Sequence, residues 1–241
     1  MDNKNLNNII VNEDMNEIIF KENSNYKIKD KKEKKRKIKI NSGCTVNIIE
    51  LNCVFNKTSY YLEDNSTLTI NKFTSAKEST EEINIYLDGL NSKVVLNLSA
   101  ISDENMIFKI NVFHNNKNTI SKTNVHGVTV SNNKMIIENN GHIPNNSKNS
   151  DLSQDNKIIT FSESESLIKP NLYIDEEEIE ASHGAYIGGF DEESIFYLKS
   201  RGISEKDSQN LLLKGFLINE QVFDEDTLEE VTKTIDKYWR W

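Results

Sequence analysis

Glycine and proline are scarce in this 241-residue chain, at nine and two, which excludes collagen-like repeats and proline-rich disorder. Two cysteines, Cys44 and Cys53, are too few for a disulfide framework, and no C-x-x-C pair or H-x₃-H spacing offers a zinc site. No apolar run approaches 18 residues, so no membrane span is expected. The opening Met-Asp-Asn-Lys-Asn-Leu-Asn-Asn lacks the apolar stretch of a signal peptide. The expected location is the cytoplasm. Positive charge is also in deficit, with 29 Lys and Arg against 38 Asp and Glu and a net charge of −9, which argues against nucleic acid as the main partner. Neither G-x-S-x-G nor a phosphate-binding glycine loop occurs, so no enzymatic activity is expected of the chain alone. Aromatic residues are 8% and both tryptophans, Trp239 and Trp241, close the chain. A row of exposed rings for carbohydrate binding is therefore a weak expectation.

What is present is a succession of short strands. Residues 1–15 are polar and read as a flexible N-terminus. A β-core over 16–187 follows, in which Ile38 and Ile40 alternate with lysines. Val46, Ile48 and Leu51, then Leu68 and Ile70, Ile83 and Ile85, Leu96 and Leu98, and Ile110 and Val112 continue the pattern. Turn-like pieces such as Glu63-Asp64-Asn65-Ser66 and Asp88-Gly89-Leu90-Asn91-Ser92 separate the strands. Recurrence at roughly a dozen residues suggests an all-β sandwich, barrel or solenoid, and the repeat is too irregular to choose among them. The absence of helical crossovers excludes a doubly wound α/β fold.

The β pattern ends in Ala181-Ser182-His183-Gly184-Ala185-Tyr186. Ile179, Ala181, His183 and Ala185 share one face at period two, so an interior, hydrogen-bonded His183 is the default reading. Beyond Gly188-Gly189 a helical segment spans 188–241, with helices expected near 191–200, 204–219 and 225–238. Asp191 and Ser204 are suited to cap the first two, and Gly202 to stop the first. Leu228, Val231 and Ile235 form an apolar stripe on the third. The β-body up to Gly189 is expected to fold without these helices.

Other candidates read as structural. His114, His126 and His142 lie far apart in sequence and are taken as ordinary loop or solenoid residues. The basic run over 27–39 reads as a solvated loop leading into an edge strand, its lysines guarding against aggregation. Asp175-Glu176-Glu177-Glu178 reads as a solvated turn, since an extended chain cannot aim three of four carboxylates at one point.

Ser182-His183-Gly184-Ala185, followed by Phe196-Tyr197-Leu198-Lys199-Ser200-Arg201-Gly202-Ile203 and Gly215-Phe216, resembles the SufB/SufD family of iron–sulfur cluster assembly scaffolds. Lys157 to Ser162 and Lys169 to Ile174 echo the family's late strands. The resemblance is specific over about 140–217. It implies a mainly β fold, a right-handed parallel β-helix followed by a small C-terminal helical domain. It implies two partners: a SufC-type ATPase docked through Phe196, Tyr197, Arg201, Leu212, Gly215 and Phe216, and a SufB-like subunit, or a second copy, paired through the last strands. It makes His183 the cluster-assembly and metal-binding candidate. No stably bound cofactor is implied, only a transient iron–sulfur cluster shared with the partner. Ser-His-Gly, together with the lack of cysteine after Cys53, is closer to SufD than to SufB. Because the β pattern begins almost at Met1, the family's N-terminal helical domain is expected to be missing. The rival outside the family is a structural or carbohydrate-binding β-solenoid.

Overall fold

Period-two alternation of apolar residues builds one interior, and the strands that carry it never reverse direction. The computed structural model describes residues 17–30, 32–75 and 77–239; the expected flexible N-terminus and Trp241 lie outside them. In chain order the strands are β1 (Glu17–Phe20), β2 (Ser24–Lys29), β3 (Lys32–Ile40), β4 (Thr45–Leu51), β5 (Val54–Leu62), β6 (Thr67–Thr74), β7 (Ser79–Leu87), β8 (Lys93–Ser102), β9 (Met106–His114), β10 (Ile120–Thr129), β11 (Met135–Ile143), β12 (Ser150–Thr160), β13 (Leu167–Ile174) and β14 (Ile179–Gly188). Three helices follow: α1 (Glu192–Ser200), α2 (Glu205–Ile218) and α3 (Glu225–Tyr238).

Odd-numbered strands form one seven-stranded sheet in the order β1-β3-β5-β7-β9-β11-β13. Even-numbered strands form a second, from β2 to β14. Every pairing is parallel, for example β10 with β8 and β12. Each coil thus adds one strand to each sheet, and the molecule is a parallel β-solenoid, mainly β with a helical tail. The solenoid was one of three architectures that the strand pattern left open and the one that the family resemblance implied.

Along the first sheet the coils lengthen steadily. Partners on the first sheet are 20 residues apart at Glu17↔Lys37, 22 at Lys32↔Val54, 25 at Lys57↔Glu82, 27 at Ser79↔Met106, 29 at Met106↔Met135 and 31 at Ile136↔Leu167.

Three kinds of ladder keep the coils in register. Inward-facing aliphatic residues, among them Ile38, Val46, Leu68, Leu96, Ile110 and Val112, make a continuous dry core. At the turns, Asn65, Asn91, Asn118 and Asn149 adopt φ between 55° and 58°, a left-handed conformation that asparagine tolerates better than most side chains. Their amides hydrogen-bond from coil to coil at 2.9, 3.0 and 3.1 Å. On the outer face of the first sheet, Tyr61, Tyr86, Phe113, His142 and Tyr173 stack with ring centroids 4.8, 4.9, 4.6 and 4.7 Å apart. No spacing in the sequence announces this row. Within the row the ring faces cover one another, which leaves an open face at the Tyr173 end.

The helical tail is not loose. α2 and α3 lie on the outer face of the second sheet. Leu213, Leu217, Val231 and Ile235 bury against Leu51, Phe73, Ile101, Val128 and Ile159 of five successive even-numbered strands. Each such side chain contributes about 1.5–3 kcal/mol by leaving water. Leu228, expected in this stripe, is 39% exposed instead; the buried line of α3 runs Thr227, Val231, Ile235 at four-residue spacing, and Leu228 stands one residue to its side. The cluster bears on the expectation that the β-body folds alone, because without α2 and α3 its five apolar side chains would face water.

The basic run is corrected in part. It is not a loop: it spans β2, which is the edge strand of the second sheet, and β3, the second strand of the first. Lys27 and Lys29 hold the tail through Asp224 at 3.0 Å and Glu230 at 2.7 Å. Arg36 turns inward and pairs with Glu50. Glu50 also accepts from Lys72, which is 3.0 Å from Glu81. Burial alone would raise the Glu50 carboxyl, but Arg36 and Lys72 outweigh it and hold it down at about 2.

Candidate functional site at the open end of the solenoid

β13 and β14 are the last strands of their sheets, and no described strand follows either. The final coil therefore shows its edge and part of its interior. Leu167, Tyr173, Ile174, Tyr186 and Ile187 are exposed there, a concentration of apolar surface that the earlier coils do not have. Pro170 stands on β13, where its missing N–H deprives an outer edge of one donor. The ring of Tyr173 has one face on His142, and the other is open to whatever comes next.

His183 sits in the middle of β14. Parallel pairing places it beside Gln154 of β12, with Ala181 beside Leu152, Ala185 beside Asn156 and Ile187 beside Ile158. Paired residues in a parallel sheet project from the same face, and Leu152, Gln154, Asn156 and Ile158 are buried inside the solenoid. His183 therefore projects on the interior side, as its period-two pattern suggested. It is nonetheless exposed, because no further coil covers it. The default of a buried histidine fails for that reason alone: alternation reports direction, and only the position in the stack reports cover.

Under this open end the interior changes character. Asn139 donates to Thr123 Oγ1 at 2.9 Å and to Asn156 Oδ1 at 2.8 Å. Asn156 in turn donates to the Gly184 carbonyl at 3.1 Å. Nearby, His114 lies between the Thr119 and Ser121 hydroxyls at 2.7 and 2.8 Å, and burial depresses its pKa to about 4. Sequence reasoning missed this polar interior, although the inward phase of β11 and β12 already contained it. Among the described residues no three His, Cys, Asp or Glu side chains gather as a metal site. The residues present suit a shared site: His183 can offer one imidazole, and the remaining ligands of an iron–sulfur substrate would come from elsewhere.

The six residues expected to face a partner separate into two groups. On α1, which buries no residue, Phe196 is 73% and Tyr197 58% exposed. The Arg201 guanidinium lies 5.3 Å from the Tyr197 ring centroid. Gly215 is also exposed. Leu212 is partly covered, and Phe216 is engaged within the chain. Its ring stacks on His126 at 4.7 Å and meets Phe190 edge-on, while its carbonyl oxygen lies 3.0 Å from His126 Nδ1. His126 thus joins α2 to β10, a role that its sequence position did not reveal.

These features define a class: a single-chain parallel β-solenoid with an open, partly apolar last coil and a helical appendage fixed to one sheet. The chain belongs to the SufB/SufD family, for residues 7–216 match the SUF system FeS cluster assembly, SufBD core domain. It stands nearer SufD. It is 27% identical over 158 residues to the iron–sulfur cluster assembly protein SufD of Bacillus subtilis, covering 65% of this chain and 36% of that protein. It is 39% identical over 69 residues to SufD of Escherichia coli, covering 28% and 16%. An iron–sulfur cluster assembly SufBD family protein of Mycobacterium leprae is 50% identical over 48 residues, 20% of this chain and 12% of the other. The matches thus span little more than a third of these relatives' lengths at most. No helix among the described residues is long and apolar enough to cross a membrane.

Proposed function

We propose that the chain is a non-catalytic, SufD-like scaffold subunit for iron–sulfur cluster assembly. In this reading the final coil pairs with a SufB-like subunit, and α1 with the exposed part of α2 docks a SufC-type ATPase. The observation that carries the proposal is the placement of His183 on the uncovered terminal strand, on its interior side, between exposed Tyr186 and Ile187 and the polar interior below. An imidazole held at the rim of an apolar edge is suited to share a cluster across a subunit contact, where the partner supplies thiolates. Exposed Phe196 and Tyr197 on a helix with no buried residue support the docking part of the reading.

The test is His183→Ala in a complex reconstituted with the ATPase and a SufB-like subunit. Folding and assembly should be unchanged, because the side chain is exposed and substitutions at such sites usually move stability by no more than about 0.5 kcal/mol. Cluster formation, followed by visible absorption, should fall. Full cluster formation in the variant would remove His183 from the function. The size of the chain alone and with its partner distinguishes a homodimer from a heterodimer.

A further inference from the structure

Beneath His183 lies an amide that nothing in the structure satisfies. Gln154 is 4% exposed, and both Oε1 and Nε2 are buried without a hydrogen-bond partner. Asn139 Oδ1, on the facing strand, is in the same condition. Burying such groups unpaired costs about 1–3 kcal/mol each, and buried polar atoms in folded proteins nearly always have partners. The register narrows the choice of partner. Asn139 is paired with Pro170 and Gln154 with His183. The last coil sets Ile168, Pro170 and Leu172 of β13 in the inward phase, and Ala181, Ala185 and Ile187 of β14. None of those side chains can donate or accept a hydrogen bond, so His183 is the polar side chain that this coil brings to Gln154.

We propose that Gln154 is the positioning residue of His183. One imidazole N–H donates to Gln154 Oε1, which fixes the tautomer and holds the ring upright. The other ring nitrogen then keeps its lone pair and directs it out of the open end, where iron would be offered. Neighbouring strands lie about 4.8 Å apart, so rotation of the two side chains brings the groups together without backbone movement. Such outer partners of a metal-binding histidine are worth roughly 10–100-fold in metal affinity. The proposal rests on the reading of His183 as the cluster-facing ligand. It adds a residue that the Ser-His-Gly motif does not contain, one coil earlier in the chain.

The experiment uses the full chain with ¹⁵N-labelled histidine, observed with neutral imidazole by long-range proton–nitrogen correlation. His183 is assigned by its loss in His183→Ala. The wild-type ring should show a single tautomer, and Gln154→Leu should give the mixture of tautomers found in free imidazole. Zn²⁺ alone, titrated while the His183 signal is followed, should bind at least about tenfold more weakly to that variant. Its melting temperature should not fall, since leucine also removes the buried Nε2, which stays unpaired with His183 on Oε1, and the exposed imidazole is left to water. Gln154→Met, which keeps the chain length without the amide, serves where leucine fails to fold. An identical tautomer and an unchanged Zn²⁺ affinity in these variants would overturn the proposal. The tautomer reads the contact with no cluster present, so its failure is separate from a failure of His183→Ala to affect cluster formation.

Discussion

At the scale of single residues, the interior of this solenoid contains more ionisable and polar chemistry than a β-core needs, and His114 gives it a pH signature. Burial holds its imidazole at about 4 against an ordinary value of 6.5. Between those two values the unfolded chain takes up a proton that the folded chain refuses. Stability is therefore full above 6.5 and falls as pH drops toward 4, by about 3 kcal/mol from this group. Urea denaturation at pH 7 and at pH 4.5 should show the loss, and His114→Gln should lose less across the same interval. The charged interior was legible in principle. Arg36 precedes Ile38 and Ile40 in the inward phase, Glu50 follows Val46 and Ile48, Lys72 follows Leu68 and Ile70, and Glu81 precedes Ile83 and Ile85. Each ends an alternating apolar row, and extending the alternation by one step places all four inside. The step is not taken from sequence alone because a lone buried charge is prohibitively costly, and only the three-dimensional pairing removes that cost.

At the scale of elements, the helices show what local chemistry decides and what it leaves to packing. The Asp191 side chain accepts from the backbone N–H groups of Glu193 and Ser194, and Ser204 from that of Asp207. Gly202 takes φ 85° where α1 stops. All three were readable because a cap is a property of four or five consecutive residues. Which face of a helix is covered is not local. A stripe does not state what lies opposite it, so neither the exposure of Leu228 nor the stacking of Phe216 on His126 can be read from it. α1, by contrast, touches α2 but buries none of its residues, and Phe196 and Tyr197 stay exposed. Phe196→Ala combined with Tyr197→Ala should therefore leave the unfolding midpoint nearly unchanged, while abolishing capture of a SufC-type ATPase in a pull-down. Retained capture would place the docking surface elsewhere.

At the scale of the whole molecule, the helical tail and the solenoid are one folding problem. Truncation after Gly189 would bare Leu51, Phe73, Ile101, Val128 and Ile159 together. The shortened chain should aggregate or melt well below the full chain, as measured by light scattering and circular dichroism. The solenoid itself was only half legible. Strands and turns could be read one by one, but the repeat could not, because its period drifts from 20 residues at Glu17↔Lys37 to 31 at Ile136↔Leu167. That drift has a further consequence. A stack of identical rungs can be continued by any other chain of the same kind, which is how cross-β fibrils propagate. Here no two successive rungs on the first sheet have the same length. A rung displaced to its neighbour's place is two or three residues too long or too short, and where the mismatch is odd its side chains turn to the wrong face. On the first sheet each coil therefore fits its own place better than its neighbour's. The widest coil on that sheet is also the last, and no described strand covers Tyr173 and His183 at its rim.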